Sequence, residues 1–319
     1  MNAVIDRHDD AEQSDDEPAF LASPRARTRR VVKDRIATVG IVGAFILVLV
    51  PLVAVIAYVI AKGAAAVNWQ FLTTSPIQNR PDQPDTVTAF GEVLKFGMAP
   101  AIVGTLLTVG IATLISVPLG VMGGIYLNEY GSRSPLSRFL RLLTDCMTGV
   151  PSVVMGLFVF TFLVLRTETR NAFAGGLALA FLMLPVIIRA TEEMLQLVPG
   201  DQREASQALG CRKAGTIVRV VLPSAAPGIL SGILLAVARA AGETAPLLFV
   251  IGLTYTTNWK LLSGENTALS VQTYANAAQP FPPAVERAWG CALTLIVLAF
   301  VATIVARMIA SRFSRHNAS

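Results

Sequence analysis

The chain has 319 residues, of which 53% are hydrophobic and only 15% are charged. So few charges exclude an ordinary soluble domain and indicate a protein that crosses a membrane. The net charge of +5 is then a matter of membrane topology and does not imply nucleic-acid binding.

Six stretches of the sequence contain no Asp, Glu, Lys or Arg. They are Ile36–Ala61, Phe96–Asn128, Cys146–Leu165, Asn171–Ile188, Val220–Ala238 and Ala288–Ala306. Each supplies roughly 17–25 apolar residues, enough for a helix to cross about 30 Å of hydrocarbon. We therefore predict an all-α membrane protein with six transmembrane helices, the first of them over residues 36–61.

The basic residues predict which ends of these helices face the cytoplasm. With the N-terminus inside, 18 of the 26 Lys and Arg residues fall in segments assigned to the cytoplasm, counting Arg189 at the start of the longer loop. Those segments are a disordered acidic and then basic tail (1–35), a loop (129–145), a longer loop (190–219) and a C-terminal tail (307–319). Residues 62–95 are predicted to form an external loop and residues 96–306 the core. The distribution of basic residues predicts that both termini are cytoplasmic, in a plasma or inner membrane. No apolar run follows a basic start within the first thirty residues, so we predict no signal peptide.

The fifth apolar segment leads into two charged residues. Between residues 220 and 253 only Arg239 and Glu243 are charged. An ionisable residue inside a membrane costs roughly 2.5–3.5 kcal/mol and usually faces the interior of a bundle or a water-filled path. The two side chains share one face if the helix continues, and their distance past Pro223 predicts a position towards the external side. They form either a structural salt bridge or a gate for an anion, whose oxygens suit a planar guanidinium. Residues 245–253 are too short to span again and are predicted to be re-entrant or interfacial.

The segment between the fourth and fifth apolar stretches begins with a short polar helix. Asp201 is predicted to be its N-cap, and Glu204 the reciprocal arm of a capping box. Gly210 stands where a residue in the left-handed conformation ends a helix. This local interpretation gives Glu204 no role beyond capping.

The same segment carries a longer pattern. Glu204, Ala205, Gly210, Leu222 and Pro223 lie at the spacing EAA, three residues, Gly, nine residues, an aliphatic residue, one residue and Leu-Pro. This pattern resembles the cytoplasmic coupling loop of ABC importer permeases, the membrane subunits that dock onto a separate ATPase. With the stretches GETAPLLF and PVIIRATEEML, residues 96–306 resemble the phosphate importer's permease subunit of the PstA type.

The resemblance implies a fold, a substrate and partners. The fold is a type I ABC importer permease bundle with a cytoplasmic coupling helix, without catalytic residues or a metal. Inorganic phosphate is the implied substrate, and Arg189, Arg239 and Glu243 are the implied pathway residues. The implied partners are a second permease subunit, two cytoplasmic ATP-binding subunits and an extracytoplasmic phosphate-binding protein. The chain is expected to bind no cofactor, since it has no P-loop pattern and ATP would lie on the partner subunits.

Other functions remain open from the residues alone. The chain resembles, less closely, the partner permease of the same importer, which has a related GET segment without APL. An ABC permease for sulfate or molybdate is a second alternative. A secondary transporter that uses Arg239 and Glu243 as an ion relay is a third, from a different class. It predicts internal repeats of matching hydropathy, which the sequence does not show. Arg189 has a simpler interpretation as an anchor at the end of a helix.

Overall fold

The computed structural model describes residues 24–75, 86–87, 93–94, 97–131 and 134–316, and these ranges are mostly helical. Their helices are α1 (Pro24–Ala66), α2 (Trp69–Thr73), α3 (Ala99–Ile125), α4 (Pro135–Gly149), α5 (Ser152–Val159), α6 (Leu165–Thr167), α7 (Ala172–Gln196), α8 (Gly200–Ala208), α9 (Lys213–Thr216), α10 (Leu222–Gly242), α11 (Ala245–Val250), α12 (Leu269–Ala277) and α13 (Pro282–His316). Single π-helical turns follow α3 (Tyr126–Tyr130), α5 (Phe160–Val164) and α9 (Ile217–Val221). A short antiparallel pair, β1 (Thr86–Val87) and β2 (Val93–Leu94), lies in the predicted external loop, with Thr86 opposite Leu94.

Five helical stretches are long and apolar enough to cross a membrane. They are Lys33–Ala66, Ala99–Tyr130, Ala172–Gln196, Lys213–Gly242 and Pro282–Val305. A sixth span consists of two helices, Pro135–Gly149 and Ser152–Thr167, bent by 105° at the break between them. The prediction of an all-α membrane protein with six spans is therefore confirmed. Residues 1–23 of the predicted disordered tail (1–35) and residues 76–85, 88–92 and 95 of the predicted external loop (62–95) lie outside the described ranges. The rest of that tail is helical, because α1 already begins at Pro24, and the start of the loop contains the end of α1 and α2.

The chain divides into two compact units, residues 1–57 and 58–319. The described part of the first unit is one helix, α1 as far as Ala57, which is apolar on every face beyond its basic start. A helix of this composition is typical of a segment surrounded by lipid. The second unit contains all the other elements, and its core surrounds α7.

Small residues bring α3 and α7 into close contact. Gly120 of α3 faces Ile187 of α7, and one turn further Gly124 faces Thr191. In lipid, where apolar side chains gain little by leaving the solvent, such close approach is what stabilises a pair of helices. The pair α3–α7 is thus the tightest part of the bundle.

The helix α10 packs antiparallel to α7 in a register that small residues also fix. A side chain at Gly228 would meet Met194, and one at Gly232 would meet Ala190. Each turn along α10 towards its C-terminus therefore corresponds to one turn of α7 back towards its N-terminus. This register decides the depth of every residue on α10.

The third span differs from its prediction. A single helix was expected over residues 146–165, but α4 ends at Gly149 and α5 starts at Ser152. Between them Val150 is extended, with ψ of 129°, because Pro151 disfavours the helical conformation in the residue before it. The result is a broken span, and in the single chain its break is only partly covered, since Val150 is half-buried and Pro151 is exposed.

The fourth and fifth spans are longer than predicted. α7 continues to Gln196, and the fifth helix starts at Lys213 rather than after Pro223. The loop predicted over residues 190–219 is therefore shorter, and Leu222 and Pro223 lie within a continuous helix. The thickness of the hydrocarbon sets the length of the apolar stretch. It does not set the length of the helix, whose backbone hydrogen bonds continue beyond the membrane.

The close contact of α3 with α7 leads to a stability prediction. In Gly124→Ala, the added Cβ would lie 2.5 Å from Thr191 Cβ and 2.9 Å from the Ile188 carbonyl oxygen. Such overpacking costs about 1–3 kcal/mol. We expect a lower thermal unfolding midpoint for the detergent-solubilised protein. The matched control is Gly110→Ala on the same helix, where nothing lies within 4 Å. Equal midpoints for the two variants would contradict this account of the contact.

Candidate functional site

Two chain breaks line one cavity of the bundle. The first is the break at Val150 and Pro151 described above. The second follows α10, where Glu243 is extended with ψ of 130° before α11 begins at Ala245. The helices beyond the two breaks pack on each other, since a side chain at Gly156 of α5 would overlap the backbone of Pro246 in α11. Broken helices of this kind occur inside membrane proteins only where protein or water satisfies the freed backbone groups.

A cavity of about 220 Å³ lies at the two breaks. Its lining includes polar side chains and one proline from each of two spans, among mainly apolar neighbours. The lining residues are Met147, Thr148, Val150, Pro151, Ser152, Leu182, Met183, Pro185, Val186, Ala236, Arg239, Ala240 and Glu243. Small-ligand sites usually combine apolar walls with a few convergent polar groups, and in this cavity polar and apolar groups contribute about equally to the surface.

Arg239 and Glu243 form the charged part of this cavity. Arg239 Nε lies 3.6 Å from Glu243 Oε1, so the predicted ion pair is confirmed. The predicted geometry is wrong in one respect, because the helix ends at Gly242 and the pair is made across the start of the break. The guanidinium side chain is 73% exposed and the carboxylate 20% exposed. The pair therefore presents its positive member to the open side of the cavity.

The depth of this pair also differs from the prediction. In the register of α10 with α7, Arg239 lies at the level of Met183, in the middle of the span Ala172–Gln196. Counting residues past Pro223 predicted a position near the external end, because the start of the membrane-embedded part was taken to be Pro223. The helix starts ten residues earlier in sequence, at Lys213. Its first turns extend beyond the apolar stretch of α7, so the number of residues past Pro223 does not measure the depth of Arg239 in the membrane.

Arg189 lies outside the cavity lining and has its own partner. It bonds to Asp145 of α4, and both side chains are partly exposed. Thr148, one turn along α4 from Asp145, lines the cavity. The Arg189–Asp145 pair thus lies next to the Arg239 cavity, further along α4 and α7.

A second pair between α4 and α7 was missed from the sequence. Arg141 donates to Glu192 Oε1 at 2.8–2.9 Å and to the carbonyl oxygen of Leu127 at 3.0 Å. Glu192 is nearly buried, and its Oε2 has no hydrogen-bond partner among the described residues. The spacing of Arg141 and Asp145 on one face of an amphipathic helix was the available signal.

The helix α12 supports the break at Glu243 from the other side. Ser270 Oγ donates to the carbonyl oxygen of Glu243 at 2.9 Å, and the backbone N–H of Leu269 donates to Thr105 Oγ1 of α3 at 2.9 Å. Gln272 and Asn276 on the same helix are buried and bonded to each other. Sequence analysis missed this element, although polar residues between two apolar spans could have indicated it.

The predicted coupling segment forms the exposed helix α8. Its N-cap is Pro199, and Asp201 lies in the first turn without a side-chain capping bond, so the predicted capping box is wrong. Gly210 has φ of +84°, as a left-handed C-terminal residue requires, and this prediction is confirmed. With the capping role removed, Glu204 and Ala205 are exposed side chains that need another explanation. Leu222 and Pro223 lie apart from them, half-buried in the bundle.

Because Ser270 holds the backbone at the second break, its hydroxyl should matter for stability. Ser270→Ala leaves the Glu243 carbonyl without this donor, and a buried polar group without a partner costs about 1–3 kcal/mol. We expect a lower unfolding midpoint in detergent. Ser231→Ala is the matched control, because Ser231 Oγ bonds only within its own helix, to the Pro227 carbonyl oxygen, on an exposed face. An unchanged midpoint for Ser270→Ala would show that α12 does not support the break.

Comparison with known proteins identifies the family of this chain. A family model described as binding-protein-dependent transport system inner membrane component matches residues 116–315. The phosphate transport system permease protein PstA 1 of Mycobacterium tuberculosis (strain CDC 1551 / Oshkosh) is 41% identical over 282 residues, 88% of this chain and 90% of the relative. The phosphate transport system permease protein PstA of Yersinia pestis is 44% identical over 216 residues, 67% of this chain and 72% of the relative.

Solved structures agree on the fold. A bacterial ABC transporter for the import of the acidic polysaccharide alginate matches with a TM-score of 0.59 and 15% identity, over 89% of this chain and 99% of the matched chain. An inward-facing MetNI methionine ABC transporter matches with a TM-score of 0.51 and 19% identity, over 68% of this chain and 93% of the matched chain. The chain therefore belongs to the family of binding-protein-dependent transport system inner membrane components, and within it to the PstA-type permeases.

Proposed function

We propose that this chain is one permease subunit of an ATP-driven importer of inorganic phosphate. The observation that carries the proposal is the cavity at the two helix breaks, which has an exposed guanidinium in the middle of an apolar bundle. The printed names of the relatives supply the substrate, since they are phosphate transport permeases. An arginine fork matches the oxygens of phosphate in both geometry and charge.

The exposure of Arg239 supports a second permease subunit. An arginine that faced hydrocarbon at mid-span would cost roughly 2.5–3.5 kcal/mol on insertion scales. Since the side chain is 73% exposed in the single chain, we infer that this side of α10 faces an aqueous path closed by a partner permease. The chain would then form half of the pathway.

Glu243 gives the site a means of release. In the absence of substrate the carboxylate neutralises Arg239, and an arriving phosphate competes for the guanidinium. Binding is then weakened by the cost of displacing Glu243, so that the anion can leave again. Arg189 with Asp145 would repeat this arrangement one step further along α4 and α7.

The energy for transport is proposed to come from partner subunits. Glu204 and Ala205 are exposed on α8, where a cytoplasmic ATPase could dock, and the loop is predicted to lie inside. Two ATP-binding subunits and an extracytoplasmic phosphate-binding protein complete the proposed importer, with both termini of this chain in the cytoplasm. The permease itself would hydrolyse no ATP and carry no cofactor.

Phosphate uptake into proteoliposomes tests the pathway. Arg239→Gln keeps a polar side chain but removes the charge, and loss of a charge-assisted bond to an anion should reduce uptake by about tenfold or more. Arg239→Lys is the matched control, expected to retain part of the uptake because it keeps the charge without the fork. Competition by sulfate or molybdate separates phosphate from the other oxyanions. Normal uptake by Arg239→Gln in an assembled complex would leave the pair as a structural salt bridge.

Docking is tested by ATP hydrolysis in the assembled complex. Glu204→Ala removes an exposed carboxylate from the proposed docking face of α8, and we expect loss of substrate-stimulated ATP hydrolysis by about tenfold, in the range of a lost interfacial charge contact. Gln207→Ala removes a neutral side chain from the same exposed helix and should have a small effect. If Glu204→Ala hydrolyses ATP and takes up phosphate normally, α8 does not dock through this carboxylate.

A further inference from the structure

On its inner side, α8 contacts the ends of membrane spans through the side chain of Arg203. Arg203 Nη1 donates to the Val198 carbonyl oxygen at 2.6 Å, and Nη2 donates to the Leu195 carbonyl oxygen at 2.8 Å. The same Nη2 lies 3.0 Å from Glu129 Oε1. One guanidinium therefore bonds to three groups outside its own helix.

These three groups belong to the ends of two membrane spans. Leu195 lies in the last turn of α7, where its carbonyl oxygen also accepts the backbone N–H of Leu197, and Val198 lies just beyond the helix. Glu129 lies in the π-helical turn that ends the α3 span. Arg203 thus caps the end of α7 and joins it to the end of α3.

Glu129 is placed to receive this arginine. Its side chain is only 8% exposed, while that of Arg203 is 23% exposed. Asn128 Nδ2 also donates to Glu129 Oε1, at 2.8 Å. A nearly buried carboxylate needs such compensation, and removal of one partner leaves a charge in a poorly solvated position.

The start of the fifth span is tied to the same place. Lys213 Nζ bonds to the Glu129 carbonyl oxygen and lies 4.8 Å from the ring centroid of Tyr130. On α8, Ser206 is buried and its Oγ lies 2.9 Å from Thr216 Oγ1. The helix that starts at Lys213 is the one that carries Arg239 in its last turn.

The helix α8 accordingly has two faces with different contacts. Glu204 and Ala205 are exposed on the outer side, whereas Arg203 and Ser206 contact the ends of the three spans. A displacement of α8 has to move those ends or break the Arg203 bonds. This cluster is separate from the cavity, which is lined by residues in the middle of the bundle.

We propose that Arg203, paired with Glu129, is the positioning link through which a displacement of α8 is transmitted to the spans that form the pathway. The link rests on the proposed function, since it connects the docking face to the substrate cavity. Arg203 touches neither the substrate nor ATP. Loss of Arg203 should therefore lower the amount of phosphate transported per ATP hydrolysed, without abolishing hydrolysis or transport.

The test is the amount of phosphate taken up per ATP hydrolysed. It uses proteoliposomes that contain the whole complex with its binding protein. For Arg203→Gln we expect uptake to fall about tenfold, within the usual range of coupling between two sites, while ATP hydrolysis changes by less than about twofold. Glu129→Gln should lower the ratio in the same direction. The double variant should be no worse than the poorer single variant, because both changes break one link.

Two further variants separate the link from general effects. Arg203→Lys keeps the charge and should partly restore the ratio. Arg219→Gln removes an exposed arginine further along the same chain segment and should leave the ratio unchanged. If Arg203→Gln fails to assemble, Glu129→Gln, which preserves the size of the side chain, decides the question by the same ratio.

Three outcomes overturn the proposal. They are a wild-type ratio in both Arg203→Gln and Glu129→Gln, a proportional fall of uptake and hydrolysis together, and additive losses in the double variant. Failure of the proposed function is recognised separately, in the wild-type complex. A wild-type complex that hydrolyses ATP without phosphate uptake refutes the function, whereas normal wild-type uptake with unaffected variants refutes only the link.

Discussion

Hydrocarbon offers no hydrogen bonds, and the structure of this chain depends on that constraint. The polar groups at the second break of the described bundle have partners supplied by protein. The Glu243 carbonyl at the second break accepts from Ser270, and the guanidinium of Arg239 lies against Glu243. The helices beyond the two breaks support each other, because α5 and α11 pack at Gly156 and Pro246, which are both buried. What remains open is the side of Arg239 that faces away from the bundle.

The same constraint explains why the number of spans could be predicted from the sequence. Charged residues are excluded from hydrocarbon, so their absence over about 20 residues is a direct physical signal. The ends of the helices were predicted poorly, because a helix in water is limited by caps and tertiary contacts rather than by polarity. α7 passes Arg189 and reaches Gln196, and the side chains of Arg189 and Glu192 are bonded to α4. A charge there ended the apolar stretch without ending the helix.

The charged pair of the candidate site could be predicted from the sequence, but its position in the bundle could not. Arg239 and Glu243 were identifiable because ionisable residues in an apolar segment are costly. Their depth depends on the register of α10 with α7, which is fixed by Gly228 and Gly232 against particular side chains of another helix. The partners of Arg203 lie 5, 8 and 74 positions away in the sequence. No periodicity in one segment encodes a contact of the last kind, so the role of this arginine could be seen only in three dimensions.

A continuous helical stretch connects the two candidate functional regions. Between Lys213 and Gly242 the chain is one uninterrupted helical stretch, tied to α8 near its start and ending beside Glu243. Backbone hydrogen bonds resist compression of such a stretch, so a displacement of one end reaches the other, and the π-helical turn Ile217–Val221 is where it bends most easily. Its close contacts with α7 at Gly228 and Gly232 restrict sliding along that neighbour. Movement of the end near α8 must therefore appear as tilt or rotation at Arg239.

Rotation of this helix moves the guanidinium relative to Glu243, which lies beyond the helix end and is held by Ser270 of α12. A pair made across a helix break can thus open by movement of one side alone, whereas a pair on a continuous helix would turn as a unit.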